Sequence, residues 1–246
     1  MEPLLRVKDL SKSGILNGIS FEMEQGEMLA IMGPSGSGKS TLLYNVAGMA
    51  QPTGGEVWLR DTKITGLTED EKAKLRLHRM GFVFQQMNMM SGLNILDNIL
   101  LPVLHAGKRM RKKAALQLRA QRLMEKLSIS GLEQRKITEV SGGQLQRACI
   151  CRSMMNGPEI LFADEPTGAL NKSAAEEVMI ELEKLNREGT TMLIVTHDSK
   201  VASRCDRIIY LLDGRICGEL KLGKTAGRSE KQQADAVNNW LIEMGW

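Results

Sequence analysis

The sequence predicts an α/β protein with a mostly parallel sheet and an inserted helical segment. Three observations carry that prediction. A glycine-rich turn sits between the apolar run Met28-Leu29-Ala30-Ile31-Met32 and a helix beginning near Lys39. From Ile160 onward, short apolar strands alternate with amphipathic helices, the pattern of a parallel sheet. Between about Gln86 and Asn156 the pattern is mainly helical, as an insertion into that sheet's connections would be.

Taken in order, Leu4–Leu10, Ile19–Met23 and Glu56–Leu59, the last after the Gly54-Gly55 turn, read as short strands. Thr68-x-x-Glu71 is a capping-box signature for a helix running to about Arg79. Leu116, Ala120, Leu123 and Leu127 recur on one helical face. Ile160–Ala163 is a strand, and Ala174, Val178, Leu182 and Leu185 mark the next helix face. Met192–Val195 is a further strand, and Ile208–Leu212 turns at Asp213-Gly214 into Arg215–Leu220. Residues 223–233 are polar and read as a linker. Beyond them Ala234, Val237, Leu241 and Met244 share a helical face, which either docks on its own domain or binds a partner.

Bulk composition narrows the function classes. A chain of 246 residues suits one large α/β domain with a subdomain and a buried core. The net charge of +4 is too small to suggest nucleic-acid binding, and no nucleic-acid partner is expected. The basic run Lys108-Arg109-Met110-Arg111-Lys112-Lys113 is a solvated helix start or a contact for an anionic surface. Four cysteines, at 149, 151, 205 and 217, fit no zinc or disulfide spacing and read as reduced thiols. No leader pattern opens the sequence. Its greasiest window, Leu93–Leu104, is broken by Asn94, Asp97, Asn98 and Pro102 and is too short to span a bilayer.

The chemistry begins at Gly33-Pro34-Ser35-Gly36-Ser37-Gly38-Lys39-Ser40, a complete G-x-x-x-x-G-K-[ST] loop. Glycines let successive N–H groups turn inward as an anion nest, and the following helix start favours the same phosphates. Lys39 brings a charge to the β/γ-phosphates, the Ser40 hydroxyl suits Mg²⁺, and Thr41 reaches toward the α-phosphate. The bare pattern arises by chance in on the order of 1% of chains this long, and here it also lies between a strand and a helix. Asp164-Glu165 ends the apolar strand Ile160-Leu161-Phe162-Ala163. In a phosphoryl-transfer site the first acid holds the metal shell and the second orients an attacking water. Ser141-Gly142-Gly143-Gln144 fits a capping box. Paired glycines are costly in a first helical turn unless something approaches the backbone closely, as a triphosphate would.

With these residues assembled, the chain resembles the ATP-binding subunit of an ABC transporter over residues 1 to about 222. The set carrying the resemblance is ordered: the loop at 33–40, Gln85 after Phe82-Val83-Phe84, Ser141 to Leu145, Asp164-Glu165, and His197 after Val195-Thr196. The resemblance implies a P-loop NTPase fold with a mostly parallel core sheet, an N-terminal antiparallel β subdomain and a helical subdomain at about 86–156. Residues 223–246 would be a linker and C-terminal helix. It implies ATP bound by residues 33–41, with Mg²⁺ at Ser40, Gln85 and Asp164, and Glu165, His197 and Gln85 acting in hydrolysis. Ser141, Gly142, Gly143 and Gln144 would close on ATP held by a second copy. The partner would be an integral-membrane permease, which places the chain at the cytoplasmic face of the membrane.

Phe84-Gln85-Gln86-Met87-Asn88 and Asp164-Glu165-Pro166-Thr167-Gly168-Ala169-Leu170 are similar to the lipoprotein-release, macrolide-export and antimicrobial-peptide subfamily. The Gly168-Ala169-Leu170 form leans toward the antimicrobial-peptide branch. Two positions depart from the family. Ser11-Lys12-Ser13-Gly14 lacks the aromatic that stacks on adenine, and Asn171 stands where an aspartate usually helps couple the two ATP sites. A non-transport role of an ABC ATPase, such as cell division, is the alternative. A small-molecule kinase would share the loop but has no use for Ser141–Gln144 or Glu165.

Overall fold

The computed structural model describes residues 2–106, 113–223 and 230–246. The basic run Lys108–Lys113, apart from Lys113, and linker positions 224–229 lie outside the described residues. Strands β1 (Leu5–Lys12), β2 (Leu16–Met23) and β3 (Met28–Met32) precede helix α1 (Lys39–Val46). Strands β4 (Gly54–Leu59) and β5 (Thr62–Lys63) lead to α2 (Glu69–Arg79) and β6 (Met80–Val83). Helices α3 (Ile95–His105), α4 (Lys113–Lys126) and α5 (Gly142–Met154) follow. The chain then alternates through β7 (Ile160–Asp164), α6 (Lys172–Arg187), β8 (Thr191–Val195) and α7 (Ser199–Ala202). A hairpin of β9 (Arg207–Leu212) and β10 (Arg215–Lys221) comes before α8 (Glu230–Glu243). These elements form two compact units: residues up to Ala73 with those from Asn186 onward, and Lys74 to Leu185.

In the first unit, β2-β1-β4-β5 form an antiparallel sheet. Leu5, Val7 and Leu10 of β1 and Ile19, Phe21 and Met23 of β2 are buried among exposed neighbours, as in a sheet with one wet face. Strand β3 runs parallel to both β8 and β9, and β10 returns antiparallel beside β9. Every residue of β3 and β8 is buried, so a continuous apolar run, not alternation, marks these strands. Each large side chain so buried contributes about 1.5–3 kcal/mol.

Helix α8 docks on its own unit. Val237 and Leu241 are buried, and Tyr210 meets Trp240 and Trp246 edge-to-face at 6.2 and 6.1 Å. Trp240 and Met244 lie so close to Gly218 that a Cβ there would sit 2.6 Å from the Met244 sulfur. Of the two readings of this amphipathic segment, docking on its own domain is the one realised.

The second unit contains β6 and β7, paired in parallel with Val83 opposite Ala163, together with α3, α4 and α5. Phe82 stacks against Phe84 and Phe162, with centroids 6.0 and 5.5 Å away. On α4 the buried face is Leu116, Ala120 and Met124, continued by Leu127 just past its end, while Leu123 is only half-buried. The apolar stripe is one position wider than the predicted spacing, and Met124 takes the deeper place. Buried Asn98 of α3 holds the loop before it: its amide donates to the carbonyls of Met90, Leu93 and Asn94 and accepts from Met90 N. Among the described residues no helix is long and apolar enough to cross a membrane.

Candidate functional site

The phosphate loop lies in the first unit, directly after β3. A Cβ on Gly33 would collide with the Leu211 carbonyl and come 2.7 Å from Ser37 Oγ, so this position excludes any side chain. Gly38 caps α1 with a left-handed φ of 100° and no side-chain bond, and a helix start of this kind favours an anion. The Lys39 ammonium, with the residue 9% exposed, donates to the carbonyls of Gly33 and Pro34 at 2.8 and 2.9 Å, folding back over the loop. The hairpin turn after β9 braces this arrangement, since Gly214 N donates to the Ser37 carbonyl at 3.1 Å.

Strand register sets His197 beside this loop. Ile31 of β3 pairs with Val195 of β8, so Gly33 and His197 each stand two residues beyond paired positions at the same sheet end. Thr196 N donates to the Ile31 carbonyl, and Thr196 Oγ1 accepts from Asp198 N, fixing the backbone on both sides of the exposed imidazole. The carboxyl ends of parallel strands are where α/β sheets bind ligands. The turn at Ser11-Lys12-Ser13-Gly14 contains no aromatic residue. The adjoining Ile15 is 41% exposed, and its Cγ2 would lie 3.3 Å, and the Leu16 Cδ2 3.0 Å, from a Cβ on Gly38.

The remaining predicted residues lie in the second unit, and register groups them too. Gln85 and Glu165 each follow the paired Val83 and Ala163 by two residues. Gln85 Nε2 would lie 3.0 Å, and the Glu165 Cβ 3.4 Å, from a Cβ on Gly168, so both side chains gather over that glycine. Asp164 is buried and Glu165 half-buried, with Glu165 at a φ of 48°, uncommon for a residue with a side chain. Asp164 and Gln85 carry oxygen atoms of the hard kind that magnesium takes.

Ser141 is the N-cap of α5. Its Oγ accepts from Gln144 N at 3.3 Å, and Gln144 Oε1 accepts from Ser141 N at 2.9 Å, a complete capping box. The two glycines after it differ in purpose. Gly143 is buried because Ala174 of α6 packs on it: a Cβ would come 2.9 Å from the Ala174 Cβ. Gly142 and Ser141 are exposed and line a cavity of about 380 Å³ with Leu170, Asn171 and Glu177. Asn171 Oδ1 accepts from Ala174 N at 2.9 Å, so the asparagine does the capping at α6 that an aspartate would do, without the charge.

Sequence reasoning assigns no role to three polar residues of α5. Gln146 donates to the Pro166 carbonyl, Arg147 pairs with Glu177 at 2.5 Å, and Arg152 donates to the carbonyls of Met87 and Asn88. The signal was a polar pair, Gln146-Arg147, spaced with Gly143 and Ile150 on the helix's buried face.

Comparison with known proteins gives the family. The ABC transporter family model matches residues 16–168. The macrolide export ATP-binding/permease protein MacB of Campylobacter jejuni subsp. jejuni (strain 81-176) is 39% identical over 217 residues, covering 88% of this chain and 33% of the relative. MacB of Mannheimia succiniciproducens is 42% identical over 202 residues, covering 82% and 31%. The chain thus spans about a third of the length of the curated relatives it matches. The dimeric structure of MJ0796, a bacterial ABC transporter cassette, superposes with a TM-score of 0.81 at 38% identity, covering 89% of this chain and 98% of that one. A post-hydrolysis dimer of the same cassette with ADP and Pi matches equally. A phosphate loop, an acid-ended strand and a capped Ser-Gly-Gly-Gln helix in one α/β chain therefore have a shared ancestry to explain them: this chain belongs to the ABC transporter family.

Proposed function

We propose that the chain binds and hydrolyses ATP as one half of a dimer that closes around two ATP and drives a separate membrane permease. The permease would export or mechanically extrude peptides, lipids or antimicrobials, with the chain at the cytoplasmic face of the membrane. Residues 1–222 are the ATP-binding cassette in this reading, with helical residues at about 86–156. Residues 223–246 are its linker and terminal helix.

The observation that carries the proposal is the start of α5. Ser141 and Gly142 are exposed on a capped helix end in a chain that also holds a complete phosphate loop. A 13-residue helix presents unpaired N–H groups and a partial positive charge there. The triphosphate in a second copy's loop is the ligand that suits them.

Residues 33–41 would cradle the triphosphate, with Lys39 at its outer phosphates. Ser40, Gln85 and Asp164 would hold Mg²⁺, which neutralises charge on the transferring phosphoryl group. Among the described residues no group of three His, Cys, Asp or Glu side chains forms a metal cage. Magnesium commonly needs only one or two carboxylates besides phosphate and water. Glu165 would orient the attacking water and His197 would contact the γ-phosphate.

The test is steady-state hydrolysis. Wild type hydrolyses ATP with Mg²⁺ and stops when EDTA removes the metal, and Glu165→Gln lowers kcat by about 10²-fold or more. Hydrolysis unaffected in Glu165→Gln would remove that residue from the mechanism. Affinity capture from membranes tests the partner: a polytopic protein supports the permease, whereas ribosomes or DNA oppose it.

A further inference from the structure

We infer that α5 is a strut tying its exposed Ser141 end to both loops that carry hydrolytic residues, with Gln146 and Arg152 as positioning residues. This rests on the ATPase reading above and deepens it. Gln146 is 1% exposed, and its Nε2 donates at 2.8 Å to the carbonyl of Pro166, the residue directly after Glu165. Its Oε1 finds no hydrogen-bond partner among the described residues. A leucine of similar size would fill the space without burying an unsatisfied oxygen. Packing therefore does not account for the amide, whereas fixing the Pro166 carbonyl does. Glu165 holds a left-handed φ of 48°, its carbonyl accepts from Gly168 N at 3.0 Å, and the following proline ring restricts φ. Anchoring Pro166 thus sets where the Glu165 side chain starts.

Further along the same helix, Arg152 donates to the carbonyls of Met87 at 3.0 Å and Asn88 at 2.7 Å. Cys149 Sγ adds a contact to the Met87 carbonyl at 3.2 Å. These carbonyls follow Gln85 by two and three residues, and Asn88 is also left-handed, at a φ of 45°. One regular helix, Gly142–Met154, therefore holds the backbones beside Gln85 and beside Glu165 while Ser141 and Gly142 at its start are exposed. A group seated on a rigid element is placed more closely than one on a free loop. A displacement at Ser141 is carried to both loops together.

Gln146→Leu and Arg152→Met, each in the full chain, test this by kinetics and by ATP-dependent dimerisation in a Glu165→Gln background. Misplaced reacting groups lower kcat by about tenfold or more. For Gln146→Leu the KM for Mg-ATP changes by less than about twofold, because Glu165 acts on the water and not on the bound nucleotide, and the Glu165→Gln dimers still form. A folded Gln146→Leu protein with wild-type kcat, or one that loses kcat and ATP binding together, overturns the inference. If Gln146→Leu does not fold, Arg152→Met, altered at a half-buried position, decides by kcat: a folded variant with wild-type kcat overturns the inference. Wild type that neither hydrolyses ATP nor dimerises as Glu165→Gln would overturn the ATPase reading itself, a result distinct from any variant's.

Discussion

Lys39 concentrates the chemistry of the phosphate loop in one ammonium group. Two loop carbonyls hold it in place, in a loop where Gly33 admits no side chain. A charge-assisted contact to phosphate contributes about 1.5–3 kcal/mol, so Lys39→Ala should weaken ATP binding about 10- to 100-fold by calorimetry. Ile15 presents an aliphatic side chain near Gly38, and Ser11–Gly14 contains no aromatic residue. Adding a ring by Ser13→Tyr should tighten ATP binding by about 0.5–1.5 kcal/mol, read in the same titration. The cysteines give an independent check on burial. Desolvation pushes the Cys149 thiol up to about 11 and Cys151 higher still, while Cys205 is buried and Cys217 exposed. A raised pKa leaves little thiolate at neutral pH. Maleimide should therefore label Cys217 alone in the native protein and all four cysteines in denaturant, as counted by mass spectrometry.

Among the elements, α5 carries the most. Its capping box satisfies two N–H groups at the exposed end, so Ser141→Ala should cost about 1 kcal/mol of stability in denaturant unfolding. The same variant should impair ATP-dependent dimerisation if Ser141 meets a partner's phosphate. Much of this element was legible in sequence, because caps and glycine pairs act over three or four residues. Strands β3, β7 and β8 were equally legible, as continuous apolar runs. What escaped was non-local. The bond from Gln146 reaches 20 residues to Pro166, and that of Arg152 reaches 65 to Met87, so neither leaves a local pattern. The approach expected at the glycine pair is met at Gly143 by Ala174 of α6, a contact only tertiary structure reveals. Two-residue β5 and four-residue α7 are too short for any periodicity to mark.

For the whole molecule, the ordered motifs foretold more than any single element did. The phosphate loop and His197 belong to one compact unit, and Gln85, Glu165 and Ser141 to the other. Within each unit, parallel-strand register brings its residues to one sheet end: Ile31 with Val195, and Val83 with Ala163. That is why widely spaced sequence motifs make sense only as a set. The central claim is that Ser141 completes the site of a second copy, and dimerisation tests it most directly. Purified Glu165→Gln should sediment as a dimer with Mg-ATP and as a monomer with Mg-ADP. A Glu165→Gln protein that stays monomeric at saturating Mg-ATP would contradict the account.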